Sequence, residues 1–312
     1  MDQIQQAAEL LRRGEIVAFP TETVYGLGAD ATKSAAVRKI FAAKGRPSNN
    51  PLIVHVPDAR TARRYVVGWD ERATKLAERF WPGPITLVLE KVREIVDEAT
   101  AGLRTVGVRV PNHPVALELL QAFGGAVAAP SANRSNRISP TTAEHVRQEF
   151  GDSIPIILDG GACRVGIEST VLDLTGPARI LRPGGVGREL IEQVLGESVD
   201  YGHSPSATDQ AFSAPGQLPV HYAPKAPAYY FVPSQWQEID DWRAGQSHIE
   251  VLAVGRQGPE DYARHLYANL RSADATARII LIEMPPDEPG WAAVRDRLKR
   301  AARPWKLSDH KC

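Results

Sequence analysis

Short apolar runs that lead directly into polar loops recur in the first half of this chain, and they constrain its fold. The run 16–19 leads into residues 21–28 (TETVYGLG), and the run 126–129 leads into residues 130–137 (PSANRSNR). A third polar loop, residues 44–51 (KGRPSNNP), carries a glycine and two prolines that stop any helix or strand. Polar loops that follow strands are typical of a ligand site on an open α/β sheet. We therefore predict an α/β fold whose ligand site is built from these three loops.

Helical and strand patterns alternate through residues 1–200. The patterns predict helices at 3–13, 34–44, 58–66, 71–80, 115–123, 141–149 and 188–195. They predict strands at 16–19, 52–56, 85–89, 106–110, 126–129, 155–158, 170–174 and 179–182. We interpret Gly26 and Gly28 as residues that permit a tight turn after Tyr25. This mixture predicts a first domain, residues 1–200, with a twisted mixed sheet and helices.

The composition changes after residue 200. Residues 201–226 are rich in Pro, Ser and Ala and show no periodicity, which predicts a linker. His221 and Tyr222 stand between prolines there, which indicates a role beyond spacing. Residues 227–312 then form a small Rossmann-like βαβαβα domain in our prediction. Its strands are predicted at 228–232, 249–254 and 277–283, and its helices at 235–243, 260–272 and 290–302.

Charge is balanced in both parts of the chain. Residues 1–200 carry 24 Lys+Arg and 24 Asp+Glu, and residues 201–312 carry 13 and 13, which argues against a protein that coats nucleic acid. The last predicted helix is locally basic. We interpret it as a solvated face, with weak RNA or phosphate contact as the alternative. No apolar run is long enough for a membrane span, and only two cysteines occur, so we expect a cytoplasmic protein without membrane contact.

Several single residues allow both a functional and a structural interpretation. Arg46 lies between Gly and Pro ahead of Ser-Asn-Asn, which favours phosphate binding over a surface charge. His55 alternates with apolar residues, so its own pattern favours a half-buried strand histidine with a satisfied hydrogen bond. Arg109 lies between valines, and its partner is either a ligand carboxylate or a structural Asp or Glu. Cys163 has no recognisable partner base, so we expect it to pack rather than react.

Seven segments of the first domain, in one order, form a recognisable set. They are PTETVYGLGADA at 20–31, KGRPSNNPLIVHV at 44–56, FWPGPITLVL at 80–89, VGVRVPNHP at 106–114, APSANRSNRISPTT at 129–142, ESTVLDL at 168–174 and ILRPG at 180–184. Together they closely resemble the threonylcarbamoyl-AMP synthase family (L-threonylcarbamoyladenylate synthases), with its YrdC-like catalytic fold. APGQLPVHYAP at 214–224, followed by a small α/β domain, resembles the longer two-domain branch.

The resemblance implies a reaction and its site. ATP, L-threonine and bicarbonate (or CO₂) would give threonylcarbamoyl-AMP and pyrophosphate, and a separate transferase complex would use the product to modify tRNA beside the anticodon. The residues expected to bind L-threonine are Thr23, His55, Arg109, Ala129 through its backbone, and Ser169. The residues expected to bind ATP are Lys44, Arg46, Asn50, Thr105, Ser131, Asn133, Ser139 and Arg182, with Tyr222 folding in from the linker. Lys44 and Arg46 would be the catalytic cations, together with Mg²⁺ bound to ATP, for which the sequence identifies no protein ligand.

Two rival interpretations remain open at this stage. One is a binding module for double-stranded RNA or ribosome assembly that uses the same basic loops, which the balanced charge disfavours. The other is the carbamoyl-adenylating domain of a hydrogenase-maturation protein, which shares the fold. Such a protein would carry zinc-finger-like modules, and two cysteines are too few for them.

Overall fold

The chain forms two compact units. The computed structural model describes residues 2–202 and 222–310. The first unit comprises Met1–Ser135 and Ser139–Gln217, and the second comprises Asn136–Ile138 and Leu218–Cys312. Most of the predicted linker, including His221, lies outside the described residues.

The first unit is built on one large mixed sheet. Its helices are α1 (Gln3–Arg12), α2 (Ser34–Lys44), α3 (Ala59–Ala62), α4 (Glu71–Phe80), α5 (Asp97–Thr100), α6 (Pro114–Phe123), α7 (Ala143–Phe150) and α8 (Arg188–Leu195). Its strands are β1 (Val17–Phe19), β2 (Gly26–Asp30), β3 (Ile53–His55), β4 (Val66–Val67), β5 (Ile85–Lys91), β6 (Thr105–Arg109), β7 (Val127–Ala128), β8 (Thr170–Asp173), β9 (Arg179–Arg182) and β10 (Asp200–Tyr201). The strand order is β1-β2-β7-β3-β6-β5-β8-β9-β10, and β4 pairs with β5. Parallel and antiparallel pairs alternate irregularly, so the predicted mixed sheet is confirmed.

Local sequence signals explain where the best-predicted helices begin and end. Helix α2 ends at Gly45, whose φ of +59° is left-handed and accessible to glycine at little cost. Helix α6 begins with Pro114 at its first turn and ends at Gly124, where φ is +75°. Helix α4 begins after Asp70, whose carboxylate accepts a hydrogen bond of 3.0 Å from the backbone N–H of Ala73.

The central strands place core and polar residues on opposite faces of the sheet. Val54, Leu87 and Val108 belong to the main core, which they share with apolar residues of α2, α4 and α7. Ile53 and Val88, their neighbours in sequence, belong to a separate small cluster. Because successive residues of a strand point to opposite faces, this second face also carries the polar side chains that alternate with the core residues. Those side chains are His55, Thr86 and Arg109.

Three sequence predictions in the first unit were wrong, and one of them is the helix at 58–66, because the helix there is Ala59–Ala62 and strand β4 follows it. Residues 26–30 are not a turn but the buried strand β2, which pairs with β1 and β7. The glycines are needed there for close packing, since a Cβ on Gly28 would lie 2.7 Å from Val127 and 2.8 Å from Phe19. Residues 155–158 form no strand, because only an isolated bridge joins Ile157 to Ala18. The backbone of this segment therefore runs beside β1 without extending the sheet.

The second unit is a small parallel α/β domain, as predicted. Its strands are β11 (Ala228–Phe231), β12 (Ile249–Leu252), β13 (Ile279–Glu283) and β14 (Arg303–Pro304), and its helices are α9 (Trp236–Arg243), α10 (Pro259–Thr276) and α11 (Ala292–Ala301). The strands pair in the order β12-β13-β11-β14. The short strand β14 was not predicted. In the described parts of the chain, no helix has the length and apolar character needed to cross a membrane.

The basic C-terminal segment, interpreted as a solvated face, is exposed at Lys299, Arg303 and Lys306, but Arg297 of α11 departs from that interpretation. The side chain of Arg297 is fully buried. It forms an ion pair of 2.9 Å with Asp296, and its guanidinium carbon lies 5.5 Å from the ring centroid of Tyr222. Arg297 therefore stabilises the interior of the second unit and contributes no charge to its surface.

Gly184 lies so close to the backbone of another segment that alanine should destabilise the first unit. A Cβ there would lie 2.3 Å from Ser169 C and Thr170 N, and backbone atoms cannot rotate away. Gly184→Ala should lower the free energy of unfolding by about 2 kcal/mol or more, since overpacking of this kind costs about 1–3 kcal/mol. The matched control is Gly176→Ala, which meets no atom within 4 Å and should cost less than about 0.5 kcal/mol. Urea denaturation measures both, and equal values would contradict the prediction.

Candidate active site

The paired strands β3 and β6 bring two predicted site residues together. The parallel register sets His55 opposite Arg109, and both side chains are almost completely buried. Arg109 Nε donates a hydrogen bond of 3.2 Å to the carbonyl of Gly83, which fixes one edge of the guanidinium. The neighbouring Ala129 is held by a 2.8 Å hydrogen bond from its N–H to the carbonyl of Ile53. These contacts place an imidazole, a guanidinium and a backbone segment on one face of the sheet.

Glu22 is the carboxylate partner of Arg109. Glu22 Oε2 lies 2.8 Å from Arg109 Nη2, and the two side chains are 3% and 4% exposed. The sequence left open whether Arg109 meets a ligand or a structural acid, and the structure shows a protein acid. Glu22 itself was not among the predicted site residues. The sequence does contain a signal for it, because Glu22 is the single charged residue between positions 16 and 29.

Ser169 and Arg182 form a second cluster beside the same face. Arg182 donates to the carbonyl of Ser169 through Nε at 3.2 Å and Nη2 at 2.9 Å, and Nη2 also lies 3.2 Å from Ser169 Oγ. The Ser169 hydroxyl is 2.8 Å from Thr86 Oγ1. Thr86 was not predicted. The forked guanidinium thus fixes the backbone of Ser169, which immediately precedes β8.

Lys44 joins two of the polar loops. Its ammonium donates to the carbonyl of Ser131 at 2.6 Å and to the carbonyl of Asn133. Burial lowers the pKa of Lys44 well below its usual value, the charge of Arg46 lowers it further, and Glu149 acts in the opposite direction. Lys44 therefore holds residues 131–133 against the end of α2. Its predicted catalytic role is additional to this contact and stays a prediction.

Arg46 shapes the loop in which it lies. Its Nε donates to the carbonyl of Asn50 at 3.3 Å, and its Nη2 donates to the carbonyl of Pro51 at 3.0 Å. The side-chain amide of Asn50 is fully buried, yet neither of its polar atoms has a hydrogen-bond partner among the described residues. A buried amide without a partner is costly, so it indicates a place where a ligand supplies one.

The remaining predicted residues lie on three different elements. Thr23 Oγ1 shares a hydrogen bond of 2.8 Å with Thr21. Ser139 Oγ donates at 2.7 Å to a carboxylate oxygen of Glu168, a residue that was not predicted. Thr105 begins β6 on the same face as Arg109, four residues earlier. Thr105 pairs with Glu90 of β5, and its ATP role stays a prediction.

Tyr222 belongs to the second unit. It is 1% exposed, and its ring stacks on Tyr267 with centroids 5.6 Å apart and planes inclined by 29°. The guanidinium of Arg297 lies against the same ring. The predicted contact between Tyr222 and ATP is untested and stays a prediction.

Burial determines the charge of His55 and the reactivity of Cys163. Desolvation, with a contribution from Arg109, lowers the pKa of His55 to about 3, and the backbone at Ile53 and Val127 partly offsets this. His55 is therefore neutral at physiological pH, and its Nδ1 has no aligned hydrogen-bond partner among the described residues. Burial also raises the pKa of the Cys163 thiol to about 12, and the side chain packs in the main core. Cys163 is thus a packing residue, as expected.

Comparisons with known proteins agree with this fold. The model of the Sua5/YciO/YrdC family, described as "Telomere recombination", matches residues 9–184, and one described as "Threonylcarbamoyl-AMP synthase, C-terminal domain" matches residues 186–303. The threonylcarbamoyl-AMP synthase of Bacillus subtilis (strain 168) is 43% identical over 96% of this chain and 93% of its own length. That of Pyrococcus abyssi (strain GE5 / Orsay) is 41% identical over 96% and 94%.

A solved structure extends the match to both units. The crystal structure of P. abyssi Sua5 complexed with L-threonine has a TM-score of 0.89 and 40% identity, and covers 97% of each chain. The chain belongs to the Sua5/YciO/YrdC family and, within it, to the longer two-domain threonylcarbamoyl-AMP synthase branch. The resemblance stated from the sequence is therefore confirmed.

The lowered pKa of His55 predicts a specific dependence of stability on pH. The unfolded chain binds a proton at this residue below about pH 6.5 and the folded chain does not until about pH 3, so stability is lost as pH falls between these values. The loss is about 1.4 kcal/mol per pH unit, or about 2 kcal/mol from pH 7.5 to pH 5.0. Urea denaturation of the wild type and of His55→Gln at both pH values measures it. The variant should lose about 2 kcal/mol less than the wild type on acidification, and an identical loss would contradict the prediction.

Proposed function

We propose that this protein synthesises threonylcarbamoyl-AMP from L-threonine, bicarbonate or CO₂ and ATP, with release of pyrophosphate. The observation that carries the proposal is a set of four buried cations around one region of the first unit: Lys44, Arg46, Arg109 and Arg182 are each less than 10% exposed. Guanidinium and ammonium groups fixed on polar loops and strand ends suit anionic ligands. The triphosphate of ATP and the carboxylate of threonine supply such anions.

The chemistry requires positioning more than a protein nucleophile. The amine of threonine attacks the carbon of CO₂ to form a carbamate, and a carbamate oxygen then attacks the α-phosphorus of ATP while pyrophosphate leaves. This makes the enzyme a nucleotidyltransferase. Arg46 and Arg182 would stabilise the charge that develops on the phosphates, because their guanidiniums are already fixed by backbone carbonyls. Fixed donors of this kind need little rearrangement during the reaction.

The sheet face would hold the amino acid. Arg109 and the Ser169 hydroxyl suit the carboxylate of threonine. The neutral imidazole of His55 suits the hydroxyl of threonine, since Nδ1 is buried and has no well-aligned hydrogen-bond partner among the described residues. The backbone at Ala129, packed against Ile53, gives an apolar wall for the methyl group. A methyl group contributes only about 1–3 kcal/mol to discrimination from serine.

Mg²⁺ would arrive with ATP. The described residues contain no group of three or more His, Cys, Asp or Glu side chains placed to hold a metal ion. Mg²⁺ is commonly held largely by phosphates and water, and this general property is the basis for proposing that it comes with the nucleotide. When bound, it would neutralise charge on the triphosphate. The product would be consumed by a separate transferase that acts on tRNA, and a cytoplasmic location stays a prediction from the sequence.

Pyrophosphate release tests the proposed reaction directly. Release from ATP should require both L-threonine and bicarbonate, because the nucleophile that attacks the α-phosphorus is formed from these two. The assay omits each substrate in turn from the purified protein. Equal release without threonine would show a plain ATPase and defeat the proposal.

Arg182 should be irreplaceable by lysine. The compact ammonium of lysine cannot reproduce the planar guanidinium that holds the Ser169 carbonyl through both Nε and Nη2. Arg182→Lys should therefore lower turnover about 10-fold or more, as loss of a charged hydrogen bond predicts. The control is Arg179→Lys on the same strand, where the side chain is half exposed and pairs with Asp173, and turnover should change less than about 2-fold. Similar losses in both variants would contradict the assignment.

A further inference from the structure

The carboxylate of Glu22 is buried in the candidate active site with unused hydrogen-bonding capacity. The residue is 2% exposed, and neither carboxylate oxygen has a hydrogen-bond donor among the described residues. Arg109 Nη2 lies 2.8 Å from Oε2 but also lacks an aligned hydrogen-bond partner. The two groups thus attract each other electrostatically without the aligned contact that a purely structural pair normally makes.

Neighbouring titratable groups do not satisfy Glu22. His113 and Cys163 lie near enough to feel its charge. Burial lowers the pKa of His113 and raises that of Cys163, and in both cases Glu22 acts in the raising direction. Neither donates a hydrogen bond to the carboxylate. Leaving a buried carboxylate without aligned donors is costly, so a ligand group that donates to it would be stabilising.

An α-amino acid matches the unused donor and acceptor of this pair. Its carboxylate accepts from the guanidinium, and its ammonium donates to the carboxylate. The two charges of the ligand would then alternate with those of Glu22 and Arg109. The zwitterion carries no net charge, so its binding adds none to the buried site. Thr23, next to Glu22 in sequence, is already among the residues predicted to contact threonine.

We propose that Glu22 binds the α-ammonium group of the amino-acid substrate, beside Arg109, which binds the substrate carboxylate. This assignment rests on the proposed function, because it concerns the threonine site of that reaction. It makes Glu22 a substrate-binding residue that requires a free amino group. It also holds the nitrogen that must later lose a proton and form the carbamate bond.

The test compares two ligands that differ only at the α-position. L-threonine carries the ammonium group, and (R)-3-hydroxybutyrate has hydrogen in its place but keeps the carboxylate and the hydroxyl. Isothermal titration calorimetry of the full-length wild type and of Glu22→Gln gives four dissociation constants. The control variant is Asp173→Asn, which neutralises another buried, ion-paired carboxylate at the far end of β8. Urea denaturation of each variant monitors folding.

The proposal predicts a selective loss. Glu22→Gln should weaken L-threonine binding by about 10- to 100-fold, as expected for a buried hydrogen bond to a charged group. Binding of (R)-3-hydroxybutyrate should change less than about 3-fold, and Asp173→Asn should leave both affinities near the wild type. Equal weakening of both ligands by Glu22→Gln would overturn the proposal and leave Glu22 as a positioning residue for Arg109.

The wild type alone provides a second test if Glu22→Gln does not fold. It should bind L-threonine at least about 10-fold more tightly than (R)-3-hydroxybutyrate. Equal affinity would overturn the role of Glu22 while leaving threonine as a ligand. Absence of L-threonine binding would instead overturn the proposed function itself, so the two failures are distinguishable.

Discussion

The alternation of side chains along the central strands is the constraint on which the active site depends. On one face, Val54, Leu87 and Val108 bury the main core against helices. On the other face, the same strands carry His55, Thr86 and Arg109. A shift of one residue in the pairing of β3 with β6 would turn the guanidinium of Arg109 away from Glu22 and towards the apolar core. The stability of the core therefore fixes the register, and the register assembles the site.

Burial then decides the chemical state of the groups on this face. Desolvation keeps His55 neutral and makes each buried cation depend on a compensating partner. Lys44 and Arg46 meet backbone carbonyls, and Arg109 meets Glu22. Carbonyls fix these cations in place without neutralising them. The proposed anionic substrates would meet cations that are already held in place, which connects the packing of the loops to the proposed chemistry.

Local signals predicted much of the fold, while contacts distant in sequence limited the rest. Helix α2 was predicted with its observed bounds because Gly45 ends it. Strand β2 was missed because its two glycines look like a turn, and only the nearby Phe19 and Val127 explain them. Arg109 was identified as a buried cation, but its partner was not, because Arg109 and Glu22 are 87 residues apart in the sequence. The remaining site residues were predicted from the resemblance of the motifs to the family, because local sequence patterns alone do not assign such roles.

A structure determined with L-threonine and a non-hydrolysable ATP analogue tests the central claim most directly. The claim is that the polar face of the sheet, opposite the main core, is the reaction site. Threonine should lie against His55, Arg109 and Ser169, with its amino group toward Glu22 and the triphosphate near Arg46 and Arg182. Ligands bound elsewhere in the first unit, for example in the cavity lined by Trp69 and Trp81, would contradict the account.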